Sequence, residues 1–149
     1  MTYTNAILVL LALLSAYAQA IGNTIDPSTY ANIEDAKTTH VDLDIEVDFD
    51  SQVFIGKVVH TMKTEVPNVK SIFFDAEGLT VSQAEFITVH GGCQIWQNVA
   101  YVVSRPNDNL GDAIEVMLPH DAPPGLEFRV RLTYVTNNKT TAISWLKPS

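Results

Sequence analysis

The sequence is 149 residues long, one domain's worth, and 46% of it is hydrophobic, which excludes a disordered chain and supports a packed core. Nine Lys and Arg face 17 Asp and Glu, a formal net charge of -8, and such a surface repels phosphate backbones, so nucleic acid is excluded as a partner. The acidity serves solubility, with attraction of basic peptides as the alternative reading.

In chain order, Ile7 to Leu14 form a compact apolar run. It is shorter than the roughly 20 apolar residues that span a bilayer and has the length of a signal-peptide core. Ala18-Gln19-Ala20 follows, a small-x-small pattern that predicts cleavage after Ala20. Residues 1–20 are thus read as a signal peptide, and the remainder as secreted or held in the secretory lumen. Met1 to Ala6 contains no Lys or Arg, which leaves an uncleaved anchor as the alternative. No other segment is long and apolar enough to span a membrane, so no membrane contact is expected after cleavage. Asn138-Lys139-Thr140 is a glycosylation sequon, consistent with a secretory route and pointing to Asn138 as the acceptor.

Residues 21–37 are polar around Asp26-Pro27-Ser28 and read as an extended lead-in. Val41, Leu43, Ile45, Val47 and Phe49 then alternate with Asp42, Asp44, Glu46 and Asp48. Strict period two predicts a strand with its apolar face buried and its acidic face in water. A calcium site needs a cage of oxygens, and alternate residues along a strand form a row instead. Asp50-Ser51-Gln52 turns into a second strand with Phe54, Gly56, Val58, His60 and Met62 on one face. His60 is expected to be a core histidine bonded to a backbone group.

Pro67-Asn68 ends that strand, and Ile72, Phe73 and Phe74 mark a short buried one. Leu79 to Val89 holds one or two more, and Gly91-Gly92 breaks the pattern. Cys93 is the one cysteine, so no intrachain disulfide can form, and its surroundings suit a structural thiol. Ile95 to Val103, Ala113 to Leu118 and Phe128 to Tyr134 read as strands around turn-rich loops, and Thr141 to Leu146 as a last one. About eight short strands with frequent turns predict an all-β antiparallel sandwich or barrel.

The chemistry-bearing motifs are missing. His40, His60, His90 and His120 stand far from ligand spacing, and no His-Glu-x-x-His helix, Gly-x-Ser-x-Gly elbow or phosphate-binding loop occurs. No catalytic residue and no metal ligand is assigned.

Several segments nevertheless carry a family resemblance. Thr38 to Phe49, Val53 to Val58, Ile72 to Val81 and Ala113 to Pro119 resemble, in order and spacing, the opening strands of leukotriene A(4) hydrolase and its aminopeptidase relatives. Ser144-Trp145-Leu146-Lys147-Pro148 resembles the Trp-Leu-x-Pro segment of the leukotriene A(4) hydrolase and aminopeptidase B branch. The resemblance runs from about Asp26 to Ser149. It implies that residues 38–149 form an N-terminal saddle-like β-sandwich whose partner is a separate thermolysin-like catalytic domain. Zinc and the peptide substrate would be held there, in the full-length form alone, and this chain itself would carry no cofactor.

Two departures stand out. Those relatives place a glutamine before the Trp, where it helps hold the substrate's amino end, and this chain has Ser144, a weak substrate-binding candidate. Relatives are often cytosolic, whereas this chain begins with a signal peptide. The pattern implies a non-catalytic domain of a secreted zinc aminopeptidase that shapes the substrate mouth, with the sequence stopping before the catalytic part. Autonomous secreted β-sandwich binding module is the alternative, and an independent small hydrolase a third.

Overall fold

The computed structural model describes residues 26–89, 95–139 and 144–146. In chain order the strands are β1 (Ala36–Asp48), β2 (Val53–Thr64), β3 (Val69–Ala76), β4 (Leu79–Thr88), β5 (Gln97–Asn98), β6 (Tyr101–Asn107), β7 (Gly111–Ala122) and β8 (Glu127–Thr136). Every strand pairing is antiparallel. The large sheet runs β1-β2-β8-β4-β5 and the small one β3-β7-β6. The expected all-β antiparallel sandwich is therefore what the chain forms. No described helix is long and apolar enough to cross a membrane.

The two sheets meet over Ile72, Ile114 and Val116 of the small sheet and Met62, Phe86, Phe128 and Val130 of the large one, all buried. Phe86 and Phe128 stack with ring centroids 5.5 Å apart. Side chains directly opposite in an antiparallel pair point to the same side, so the register fixes which residues share this inner face.

Gly56 is where the backbone must stay bare. It pairs with Tyr134 of β8, and a Cβ there would lie 2.5 Å from the tyrosine Cζ. The ring covers the glycine, filling space that a side chain would otherwise occupy.

The β1–β2 turn is held by Asp48, whose Oδ1 accepts the backbone N–H of Asp50 and of Ser51, each at 3.0 Å. Those bonds, that from Ser51 first, hold its carboxyl below the usual aspartate range. On the outer face of the large sheet, Arg131 and Glu85 sit opposite each other. Arg131 Nε and Nη2 donate to Glu85 at 2.6 and 2.7 Å, and Trp96 lies over the guanidinium at 4.2 Å. This bidentate arrangement, with the cation under an aromatic face, lets a buried Glu85 keep its charge partnered.

Three expectations change. The strand begins at Ala36, so the lead-in ends earlier than residue 37. The lead-in is also tied to the small sheet rather than merely extended. Tyr30 N–H donates to Asp75 at 2.7 Å, and the Thr29 hydroxyl donates to the same carboxylate. Asn32 Oδ1 accepts the Phe73 N–H at 2.9 Å while its Nδ2 donates to the Ser71 carbonyl at 3.0 Å. The side chain of Asn32 thus does for β3 what a neighbouring strand would do. Finally, Ser144–Leu146, the described part of the expected last strand, is not in a strand. Residues 1–25, which include the expected signal peptide and Ala20, and Cys93 lie outside the described residues.

Replacing Asn32 by Ala leaves the Phe73 N–H and the Ser71 carbonyl without this partner. Urea denaturation of Asn32→Ala is expected to show a loss of about 1–3 kcal/mol, the cost of stranding part-buried backbone groups.

Candidate docking face

The four apolar residues of the acidic-apolar repeat that lie in β1 do join the inner face. Val41 lies opposite His60, Leu43 opposite Val58, Ile45 opposite Gly56 and Val47 opposite Phe54. The face was expected to be buried, and it is not. Across one row of the sheet, Ala84 is 1% exposed and Leu132 4%, Val58 is half-buried, and Leu43 is 59% exposed. Three strands of the small sheet cannot cover five, and the cover runs out at β2. Val41, Ile45, Val47 and Phe49 are likewise exposed, Phe49 by 76%. Lone exposed apolar residues are ordinary, but a contiguous row on a core-type face marks an interaction surface.

The open face has a groove and a border. The groove, about 370 Å³, is lined by Leu43, Val58, His60, Phe74, Leu132 and Tyr134 among others. It lies where the small sheet ends. The border is Trp145, whose ring meets Phe49 at 5.9 Å and Phe54 at 5.7 Å, edge-on to both. Segment 144–146 therefore lies against the turn end of the β1–β2 hairpin, with Leu146 91% exposed beside it.

His60 departs from expectation. It reaches the inner face, with its ring 4.6 Å from that of Phe74. However, its buried Nδ1 has no hydrogen-bond partner, so it is not the backbone-bonded histidine that an apolar position suggested. Burial holds its pKa below the ordinary 6.5.

The outer face of β1 is acidic and solvated, as expected. Asp42, Asp44 and Glu46 are exposed, with His40 Nε2 3.1 Å from Asp42 Oδ1 and Lys57 opposite Asp44. Elsewhere, Arg105 donates to Asp112 at 2.9 Å and to both Glu77 oxygens. Asp112 is held below its usual pKa chiefly by that bond. This is a surface clamp through Arg105 of β6 that joins the β3–β4 turn to β7.

The sequence-derived site residues fall as follows. Ser144 is exposed and adjoins Trp145 at the end of the open face. Asn138 is exposed in the turn after β8. Among the described residues no three His, Cys, Asp or Glu gather as a metal site. His120 packs edge-on against Phe86 at 6.2 Å. Sequence reasoning missed the open face because period-two alternation reports which side a residue takes, not whether anything lies opposite. No signal in the repeat itself reports this, because how many strands join each sheet is set by long-range pairing.

Comparison with known proteins agrees with this architecture. No family model matches the chain. A "Leucine aminopeptidase 2" of Phaeosphaeria nodorum is 27% identical over 124 residues, covering 83% of this chain and 19% of the relative. The leukotriene A-4 hydrolase of Xenopus laevis is 26% identical over 121 residues, covering 81% and 19%. Among solved structures, yeast LTA4 hydrolase in complex with bestatin superposes with a TM-score of 0.65 at 19% identity, over 86% of this chain and 19% of that one. An M1 zinc metallopeptidase of Deinococcus radiodurans gives 0.59 at 26% identity, over 78% and 23%. The chain thus spans about a fifth of the length of the proteins it matches.

The unpartnered His60 makes stability depend on pH. Its folded-state pKa is lowered, so the unfolded chain binds the proton more readily. The His60 contribution is intact above about pH 6.5 and is lost as pH falls toward the lowered folded value. Thermal melts between pH 7.5 and pH 5 are expected to show this decline, and His60→Leu is expected to flatten it. Asp48 and Asp112 act in a separate window, because their contributions fade only as pH drops below about 4.

Proposed function

We propose that this chain, an N-terminal β-domain of the M1 aminopeptidase type, is a non-catalytic docking domain of a secreted zinc aminopeptidase. Its open inner face packs on the catalytic domain, and its Trp145 end borders the substrate mouth for peptide N-termini. The observation that carries this reading is the row Val41, Leu43, Ile45, Val47 and Phe49, left exposed on a face that is core elsewhere. Zinc and the proton-transfer groups belong to the catalytic domain, where the metal would activate water and polarise a carbonyl. The part of this chain is to bind and position, with Ser144 as the residue facing a peptide's amino end, a short hydroxyl in place of an amide.

Secretion follows from the apolar run before Ala20 and the cleavage pattern there. Glycosylation of Asn138 fits the same route, and the exposed turn that holds this residue supports it.

The first test is the transcript beyond the codon for Ser149. It is expected to encode a His-Glu-x-x-His segment, and a stop codon there with no longer form would favour the autonomous secreted binding module. Light scattering separates the same two readings in solution. The chain alone is expected to associate through its open face, and Leu43→Asp with Ile45→Asp is expected to return it to a monomer. An unchanged, monomeric wild-type chain counts against docking. Recovered from a secreting cell, the protein is expected to begin at Ile21 by N-terminal sequencing. It should also lose a glycan-sized mass on gels in Asn138→Gln.

A further inference from the structure

The two sheets treat their edges differently. The β3 edge of the small sheet is occupied by the lead-in, with Asn32 taking the Phe73 N–H and the Ser71 carbonyl. Among the described residues the β1 edge of the large sheet has no such cover. Among the described residues β1 pairs with β2 alone, and it runs 13 residues. An edge strand turns every second N–H and C=O outward, and a long bare edge is a template for one more strand.

Natural edges are blunted by charged side chains, Pro, inward-pointing charge, bulges or shortness. From His40 to Asp48, β1 carries the first of these, Asp42, Asp44, Glu46 and Asp48, and none of the others, so its edge repels a like-charged strand and stays open to one of opposite charge. Its one irregularity lies between Thr38 and His40, near the start, and its charges all sit on the outer face.

We infer that the β1 edge accepts an extended strand from another chain in which basic and apolar residues alternate. The match is set by the two rows of β1. A strand added beside it extends both faces of the sheet. Its apolar residues would lie next to Val41, Leu43, Ile45 and Val47, enlarging the apolar inner face. Its Lys or Arg residues would lie next to Asp42, Asp44 and Glu46, exposed carboxylates on the outer face. Cross-strand neighbours of opposite charge stabilise a pair and like charges destabilise it.

The same rule disfavours a second copy of this chain. Antiparallel β1–β1 pairing would set one acidic row beside another on the same face, in a molecule of net charge -8. The occupant is thus a foreign strand of opposite charge. The inference goes beyond docking of the inner face, because an added strand widens the sheet sideways and leaves that face open.

Binding of fluorescent peptides of about ten residues to the 149-residue chain tests it, read by anisotropy and by hydrogen exchange of the Val41–Val47 amides. A peptide alternating Lys and Val is expected to bind, to protect those amides, and to weaken about tenfold when salt is raised. Its Glu and Val counterpart is expected not to bind. Asp42→Lys with Asp44→Lys and Glu46→Lys changes exposed side chains only, and is expected to reverse the preference. No binding, binding without protection of β1, equal binding of both peptides, or self-association that itself protects the Val41–Val47 edge amides and persists in Leu43→Asp with Ile45→Asp would each overturn the inference. Should the triple variant fail to fold, the salt series and the two-peptide comparison on the wild-type chain decide the matter alone.

Discussion

Two sheets of unequal width face each other, and most of what is unusual in this domain follows from that mismatch. Five strands lie beneath three. The hydrophobic effect is satisfied where the small sheet lies over the large one, and there Val116, Phe128 and Val130 reach complete burial. Toward β1 the cover ends while the alternation continues. Strand geometry obliges Leu43 and Ile45 to share a face with Leu132 and Tyr134, since directly opposed residues point the same way. The domain thus carries part of its core in the open.

The mismatch also explains the devices around its margin. Gly56 and Tyr134 replace side-chain packing with a ring laid on backbone, at a place where the small sheet no longer reaches. His60 stands at the boundary between covered and open, deep enough to lose water and too far out to find a partner for Nδ1. Trp145 closes the far end against Phe49 and Phe54, giving the open face a defined limit. The outer face, by contrast, is finished where it matters, with Arg131 and Glu85 paired under Trp96. One face is thus complete in itself, and the other is left partly uncovered among the described residues.

Much of the fold was legible in the residues. The repeat from Val41 to Phe49, the Asp50-Ser51-Gln52 and Pro67-Asn68 turns, and the alternation from Phe128 to Tyr134 each announce a strand or its end, because side chains alternate sides with period two. The segments resembling aminopeptidase strands lie in β1 to β4 and β7 in the expected order. Less was legible of the site. Ser144 was picked out by resemblance, and its position beside Trp145 at the end of the open face came from packing between distant segments. The role of Asn32 was invisible, since a polar side chain in a lead-in gives no sign that it will pair with a strand some forty residues on.

By itself, the sequence determined the class of the fold, which side of each strand each residue takes, the placing of charge on one face of β1, and the lack of a recognisable catalytic motif. These are local properties, set by backbone sterics and by side-chain period. The tertiary structure alone decided which faces are covered. Burial depends on what lies opposite, on which strands join which sheet, and on how wide each sheet becomes. The β1 apolar row has the pattern of a core strand and the exposure of a binding surface, because its partner layer stops short of it.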